Sequence, residues 1–158
     1  MIGTRATALG LAAAALAIAG LAACGDDSSE QLSAEDLVTR ADEICRGGIE
    51  RFGEIQSEPP SNAVEAENQT AELADVASDE LNELRELRPP DELRDSYDAY
   101  LASRTRALDQ LERGRDAAHD RDTDAYVAAQ AKVTADQANR LKLAKVVGLQ
   151  DCSKAPEQ

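Results

Sequence analysis

Residues 73–101 read LADVASDELNELRELRPPDELRDSYDAYL. Before Pro89-Pro90, the residues Leu73, Val76, Ala77, Leu81, Leu84 and Leu87 recur at three- and four-residue spacing. After it, Leu93, Tyr97, Tyr100, Leu101, Leu108 and Leu111 do the same. That period places each set on one face of an α-helix. Proline cannot extend the hydrogen-bond ladder, and it pushes the residue before it out of the α region. The stretch therefore encodes two amphipathic helices joined by a tight break, with Asp91 expected as the N-cap of the second. Helices joined so closely fold back on each other.

The flanking sequence repeats the pattern. Ser33 is a good N-cap, with Glu35 and Asp36 in the first turn complementing the helix dipole. A first helix should run to about Gln56 with Leu37, Ala41, Ile44, Cys45, Gly48, Phe52 and Ile55 facing inward, until Glu58-Pro59-Pro60-Ser61 stops it. The second helix spans about Asn62 to Arg88, its first two polar turns expected to fray, and the third ends near His119. Asp120-Arg121-Asp122-Thr123 leads into a fourth, Thr123 to Val147, whose stripe (Tyr126, Ala129, Val133, Gln137, Leu141, Ala144, Val147) is poorer. Gly148 then reads as a left-handed C′ residue. Four helices with short breaks predict an all-α fold, an antiparallel up-down-up-down four-helix bundle over residues 33–152. With no Trp, one Phe and three Tyr, its Ala-rich helices should pack closely.

Ahead of the bundle stands Leu21-Ala22-Ala23-Cys24, after a basic start (Arg5) and an apolar run from Ala6 to Leu21. A positive start, an apolar middle and small residues before a cut make a secretory leader. The ending matches a bacterial lipobox, which predicts a signal peptide over residues 1–23, cleavage, and lipidation of Cys24. Two acyl chains on one residue suffice for stable anchoring, where one does not. The expected location is extracytoplasmic, lipid-anchored to the outer face of the cell membrane. An uncleaved transmembrane anchor and an ordinary cleavage near Cys24 stay open. Residues 24–32 form a flexible acidic spacer and residues 153–158 a polar tail.

The leader holds one of the 17 basic residues and none of the 31 acidic ones, so the chain from Cys24 onward carries a net charge of −15. Nucleic acid is excluded as a partner, because its binders carry a positive face. Of three cysteines, Cys24 is committed to lipid. Cys45 and Cys152 then form an even pair in an oxidising compartment, which reads as a disulfide. Cys45 lies about 18 Å along the first helix at 1.5 Å per residue. The chain after Gly148 must double back to reach it, so Leu149 should pack against the first helix.

Ala41-Asp42-Glu43-Ile44-Cys45, Leu84 to Pro90 (LRELRPP), Tyr97-Asp98-Ala99-Tyr100-Leu101 and Gly148-Leu149-Gln150-Asp151-Cys152 follow in this order behind the lipobox. Together they resemble a large group of small, uncharacterised predicted lipoproteins of high-GC Gram-positive bacteria, over nearly all of the mature chain. The resemblance implies a helical fold and a Cys–Cys bridge. It carries no assigned activity and no functional residues.

Chemistry-bearing motifs are few. Asp120-x-Asp122-x-Asp124 copies the start of a calcium loop, but Ala125 stands where the turn glycine belongs and Ala131 where the bidentate Glu belongs. Asp116 and His119 share a helix face, yet a dimetal bundle site needs two histidines and this chain has one. Nucleophile elbows, phosphate loops and zinc-protease motifs are absent. The sequence predicts no enzyme, no cofactor and no metal site, and leaves the oligomeric state unset. Asp36/Arg40, Asp42/Arg46, Asp109/Arg113 and Asp136/Arg140 are spaced as surface pairs worth about 0.2–0.5 kcal/mol each. The leading expectation is an interaction or structural module of the cell envelope with a protein partner. The alternative is a solute- or cation-binding lipoprotein with a pocket between helices near Tyr97, Tyr100 and Glu80. A cavity above about 300 Å³ would favour the binder.

Two charges interrupt apolar stripes: Glu80 on the second helix and Arg104 on the third. Folding back at Pro89-Pro90 sets Glu80 level with about Tyr100 and Arg104 three residues beyond. The two are expected to meet as a buried polar pair with the Tyr100 hydroxyl as third partner, or else to snorkel to solvent.

Overall fold

The computed structural model describes residues 31–155. The expected leader 1–23, the expected lipidation at Cys24, the expected spacer up to residue 30 and the tail from residue 156 lie outside the described residues. Four helices follow in order: α1 (Ala34–Ile55), α2 (Ala63–Glu86), α3 (Arg94–His119) and α4 (Thr123–Val147). They form an all-α, antiparallel up-down-up-down four-helix bundle. Among the described residues no helix is long and apolar enough to cross a membrane.

Local chemistry sets most boundaries. Ser33 caps α1 by accepting the Asp36 amide, and Asn62 caps α2 by accepting those of Val64 and Glu65. The polar first turns of α2 do not fray. The Gln69 side chain donates to the carbonyls of Ile55 and Glu58, both at 2.8 Å, and so ties those turns to the end of α1. Asp122 caps α4 through the Ala125 amide, and Gly148 ends it at φ 99°, where a side chain would be strained. Asp91 is not the N-cap of α3. It opens a single 3₁₀ turn, Asp91–Leu93, and its carboxylate is occupied by the side chains of Arg94 and Gln31.

The two ends of the bundle differ. Where α1 and α3 begin and α2 and α4 end, the core is closed: Leu37, Leu84, Tyr97, Tyr100, Ala144 and Leu149 are all fully buried. Burying each such leucine contributes about 1.5–3 kcal/mol. The Tyr97 hydroxyl donates to the Leu84 carbonyl at 2.8 Å, satisfying an acceptor in the last turn of α2. Towards the other end the core thins to a small cluster, Leu73, Ala74, Ala77 and Leu111, flanked by half-buried Phe52, Leu108 and Val133, with Ala66, Ala117, Ala118 and Ala129 also buried.

This difference follows from which helices meet. The α3 helix packs along both α2 and α4, and α1 packs on α2, but α1 and α4 scarcely touch. The weak stripe of α4 accounts for that. Ala129, Ala144 and Val147 are buried, whereas Val133, Gln137 and Leu141 stay half-exposed because nothing covers them from the α1 side.

A short C-terminal segment seals the α1–α4 seam at the closed end. After Gly148 the chain turns back along α1, burying Leu149, and Cys152 bonds to Cys45 with their Cα atoms 5.1 Å apart. Buried Asp42 fixes the turn: its carboxylate accepts the amides of Gln150 (2.9 Å), Asp151 (2.8 Å) and Cys152 (3.2 Å). Asp42 therefore does not pair with Arg46. Arg46 instead bonds Asp151, which also holds Lys154.

Candidate functional site

Beyond the disulfide the α1–α4 seam stays open, leaving a cleft of about 860 Å³. Cys45 and Cys152 close one end. Phe52 and Ile49 of α1, Leu73 and Ala77 of α2, Ala107 and Leu111 of α3, and Val133 and Leu141 of α4 supply apolar walls. Gln130, Thr134 and Gln137 add a polar strip along α4, one turn apart. Charged side chains gather near the closed end: Glu80, Arg104 and Arg140, with Lys154 on the tail.

Glu80 and Arg104 meet across the α2–α3 interface as an ion pair, with side chains 4% and 16% exposed. Burial pushes the Glu80 carboxyl above the ordinary carboxylate range, while Arg104 and then Arg140 pull it back. Burial also opposes the charge on Arg104, but Glu80 and Tyr100 more than offset that. The Tyr100 hydroxyl stands beside the pair and donates to the Cys45 sulfur at 3.5 Å, a sulfur that carries no proton of its own once bridged. Desolvation pushes that hydroxyl up to about 12, so it stays protonated at any physiological pH.

Gly48 makes the pair possible. A Cβ at this position would lie 2.6 Å from Oε2 and 2.9 Å from Cδ of Glu80. The carboxylate thus rests on the bare backbone of α1, and any larger residue would push it aside. Arg140 differs from its neighbours. Its Nη1 is buried without a hydrogen-bond partner, and it makes no ion pair among the described residues. Burial and the facing Arg104 both depress its basicity. Asp136, one turn away, does not reach it.

Other sequence candidates fall elsewhere. Tyr97 and Tyr100 sit in the closed core with ring centroids 6.3 Å apart, and Tyr126 is half-buried near the start of α4; none lines the cleft. The pocket is therefore not the tyrosine-lined one expected. His119 hydrogen-bonds Glu67 at 2.9 Å, while Asp116 pairs with Arg115. Asp122 serves as a helix cap. No group of three or more potential metal ligands is present among the described residues. Sequence reasoning missed Gly48 as the seat of Glu80, Asp42 as the anchor of the tail, and Arg140. The signal for Arg140 was the broken stripe of α4.

Comparison of the chain with protein-family models, with curated proteins and with solved structures yields no match.

Proposed function

We propose that this chain is a membrane-anchored extracytoplasmic lipoprotein that holds a small ligand in the cleft between α1 and α4. One observation carries the binding half: a cleft of about 860 Å³ has apolar walls and charged groups converging on its closed end. Small-molecule sites occupy about 300–1,000 Å³ and combine these two features. A module that worked only through its outer faces would gain packing contacts by filling this space. Among the described residues the large exposed apolar side chains are three single valines, Val64 on α2 and Val127 and Val146 at opposite ends of α4. The anchoring half rests on the Arg5 start, the apolar run and Leu21-Ala22-Ala23-Cys24.

Thermal shift and amide NMR against a small-molecule mixture test the cleft, with Ala107→Trp as a variant that fills it. Ligands should raise the wild-type melting temperature and move the resonances of cleft residues, and should do neither in Ala107→Trp. Ligands that act equally on both proteins, or that move only outer-surface resonances, would reject the reading. For the anchor, mass spectrometry of the membrane fraction should show a lipidated Cys24 as the first residue, and Cys24→Ser should leave the precursor unprocessed. An intact leader on the mature wild-type protein would remove the lipoprotein.

A further inference from the structure

The cleft runs against the charge of the protein around it. The whole chain carries a net charge of −14, yet the cleft lining includes one acid and three bases. Two of those bases are taken, Arg104 by Glu80 and Lys154 by Asp151. Arg140 lines the same space and makes no ion pair among the described residues, and its Nη1 is buried without a partner. A buried polar atom without a partner is rare, and Nη1 belongs to a half-buried cation. Within the fold Arg140 is drawn towards Glu80, which Arg104 already holds, and it faces that second guanidinium. From Glu80, Arg104 and Arg140 the local sum is one positive charge, so a single negative charge would complete the cluster.

On the reading of the cleft as a ligand site, we infer that its ligand is an amphipathic monoanion. The apolar body lies along Leu73, Ala77, Leu111 and Val133, and a carboxylate head pairs with Arg140 near the disulfide. The planar guanidinium presents parallel N–H donors that match the two oxygens of a carboxylate. A cationic head would find only Glu80, which Arg104 already holds. The acidic exterior does not prevent entry, because at physiological salt its field is screened beyond about 8 Å. Inside the cleft the nearest charges are Glu80 and the two arginines, which sum to one positive charge. The closed end also fixes direction, with the head deep and the body towards the open, apolar stretch of the seam.

The test uses three probes with the same ten-carbon chain: decanoate, decanol and decyltrimethylammonium. Calorimetric titration of the processed, disulfide-intact protein at pH 7.5 compares wild type with Arg140→Gln. Decanoate should bind wild type roughly tenfold or more tightly than decanol, and decyltrimethylammonium weakest, as expected for one charge-assisted contact. Arg140→Gln should abolish the preference for decanoate while still melting in a single cooperative transition, so that lost binding cannot be lost folding. Arg140→Lys, which keeps the charge without the fork, should fall between. Equal binding of decanoate and decanol, a preference for the ammonium, or undiminished decanoate binding by Arg140→Gln would each overturn the assignment and leave the cleft as a site for another ligand. If none of the probes binds while the mixture still yields cleft ligands, the anion assignment alone falls. If neither yields binding, the cleft reading falls with it.

Discussion

Replacing Arg104 by Leu would leave Glu80 as a carboxylate in a space that is 4% exposed, without the guanidinium that now contacts it. Removing one partner of a buried pair costs about 3–5 kcal/mol, because the other charge is stranded. Arg140 already acts on Glu80 from α4, so the expected loss at pH 7.5 is at the low end, about 3 kcal/mol. The loss should also depend on pH. Burial holds the Glu80 pKa above its unfolded value, and removing Arg104 takes away the larger of the forces pulling it back. A carboxyl shifted upward favours the folded state when protonated. That contribution is fully present below the unfolded pKa of about 4.3 and is lost as the pH rises through the folded pKa. The deficit of Arg104→Leu should therefore be smallest near pH 4 and largest at neutral pH. Replacing both Glu80 and Arg104 by Leu should recover most of the stability, since an apolar pair of similar volume matches a buried ion pair. Equilibrium urea unfolding of the disulfide-intact protein from pH 4 to pH 8 measures all of this. A deficit under about 1 kcal/mol at pH 7.5, or one that does not change with pH, would put the pair in contact with water and refute the reasoning.

Further expectations rest on single residues. Gly48→Ala should destabilise by about 1–3 kcal/mol by overpacking against Glu80. Gly47→Ala, whose added Cβ meets nothing within 4 Å, should instead gain about 0.5–1 kcal/mol in the same denaturation assay; equal effects at the two glycines would contradict the described seat of Glu80. Asp42→Ala should cost about 3 kcal/mol by releasing three amides, and hydrogen exchange should speed up at residues 150–152 while the disulfide stays formed; unchanged exchange there would be decisive against the role given to Asp42. The hydrogen bond that His119 donates to the Glu67 carboxylate raises the pKa of His119, so its NMR titration midpoint should lie above 6.5 and return towards that value in Glu67→Gln. Any stabilisation from that pair is present below the unfolded pKa and fades as the pH rises through the folded one.

What the sequence made legible was local. Pro59-Pro60 and Pro89-Pro90 break helices through covalent geometry, and Gly148 ends one through a positive φ. Each acts on its own neighbours, so each could be read without knowing the fold. Glu80 and Arg104 stood out because a charge inside an apolar stripe needs a partner, and the hairpin at Pro89-Pro90 offered one. Asp42 gave no such sign. Beside Arg46 it looked like half of a surface pair, and its real partners are amides more than a hundred positions away. Arg140 was hidden in the same way by Asp136. Asp91 misled because a good capping residue was drawn off by Arg94 and Gln31, contacts that exist only after folding. The open seam was half visible in the poor stripe of α4, but a weak stripe alone does not distinguish an exposed face from the wall of a cleft.

The separation of 107 residues between Cys45 and Cys152 imposes a timetable. A ribosome delivers Cys45 before Cys152, with three helices made in between. The hairpins α2–α3 and α3–α4 join neighbours in the chain and can form from what has already been delivered. The closed end of the cleft cannot, because the amides that Asp42 holds and the sulfur that Cys45 needs arrive only after α4. A chain halted before residue 150 would leave the seam open along its whole length, so the end wall of the cleft forms only once all four helices have been made.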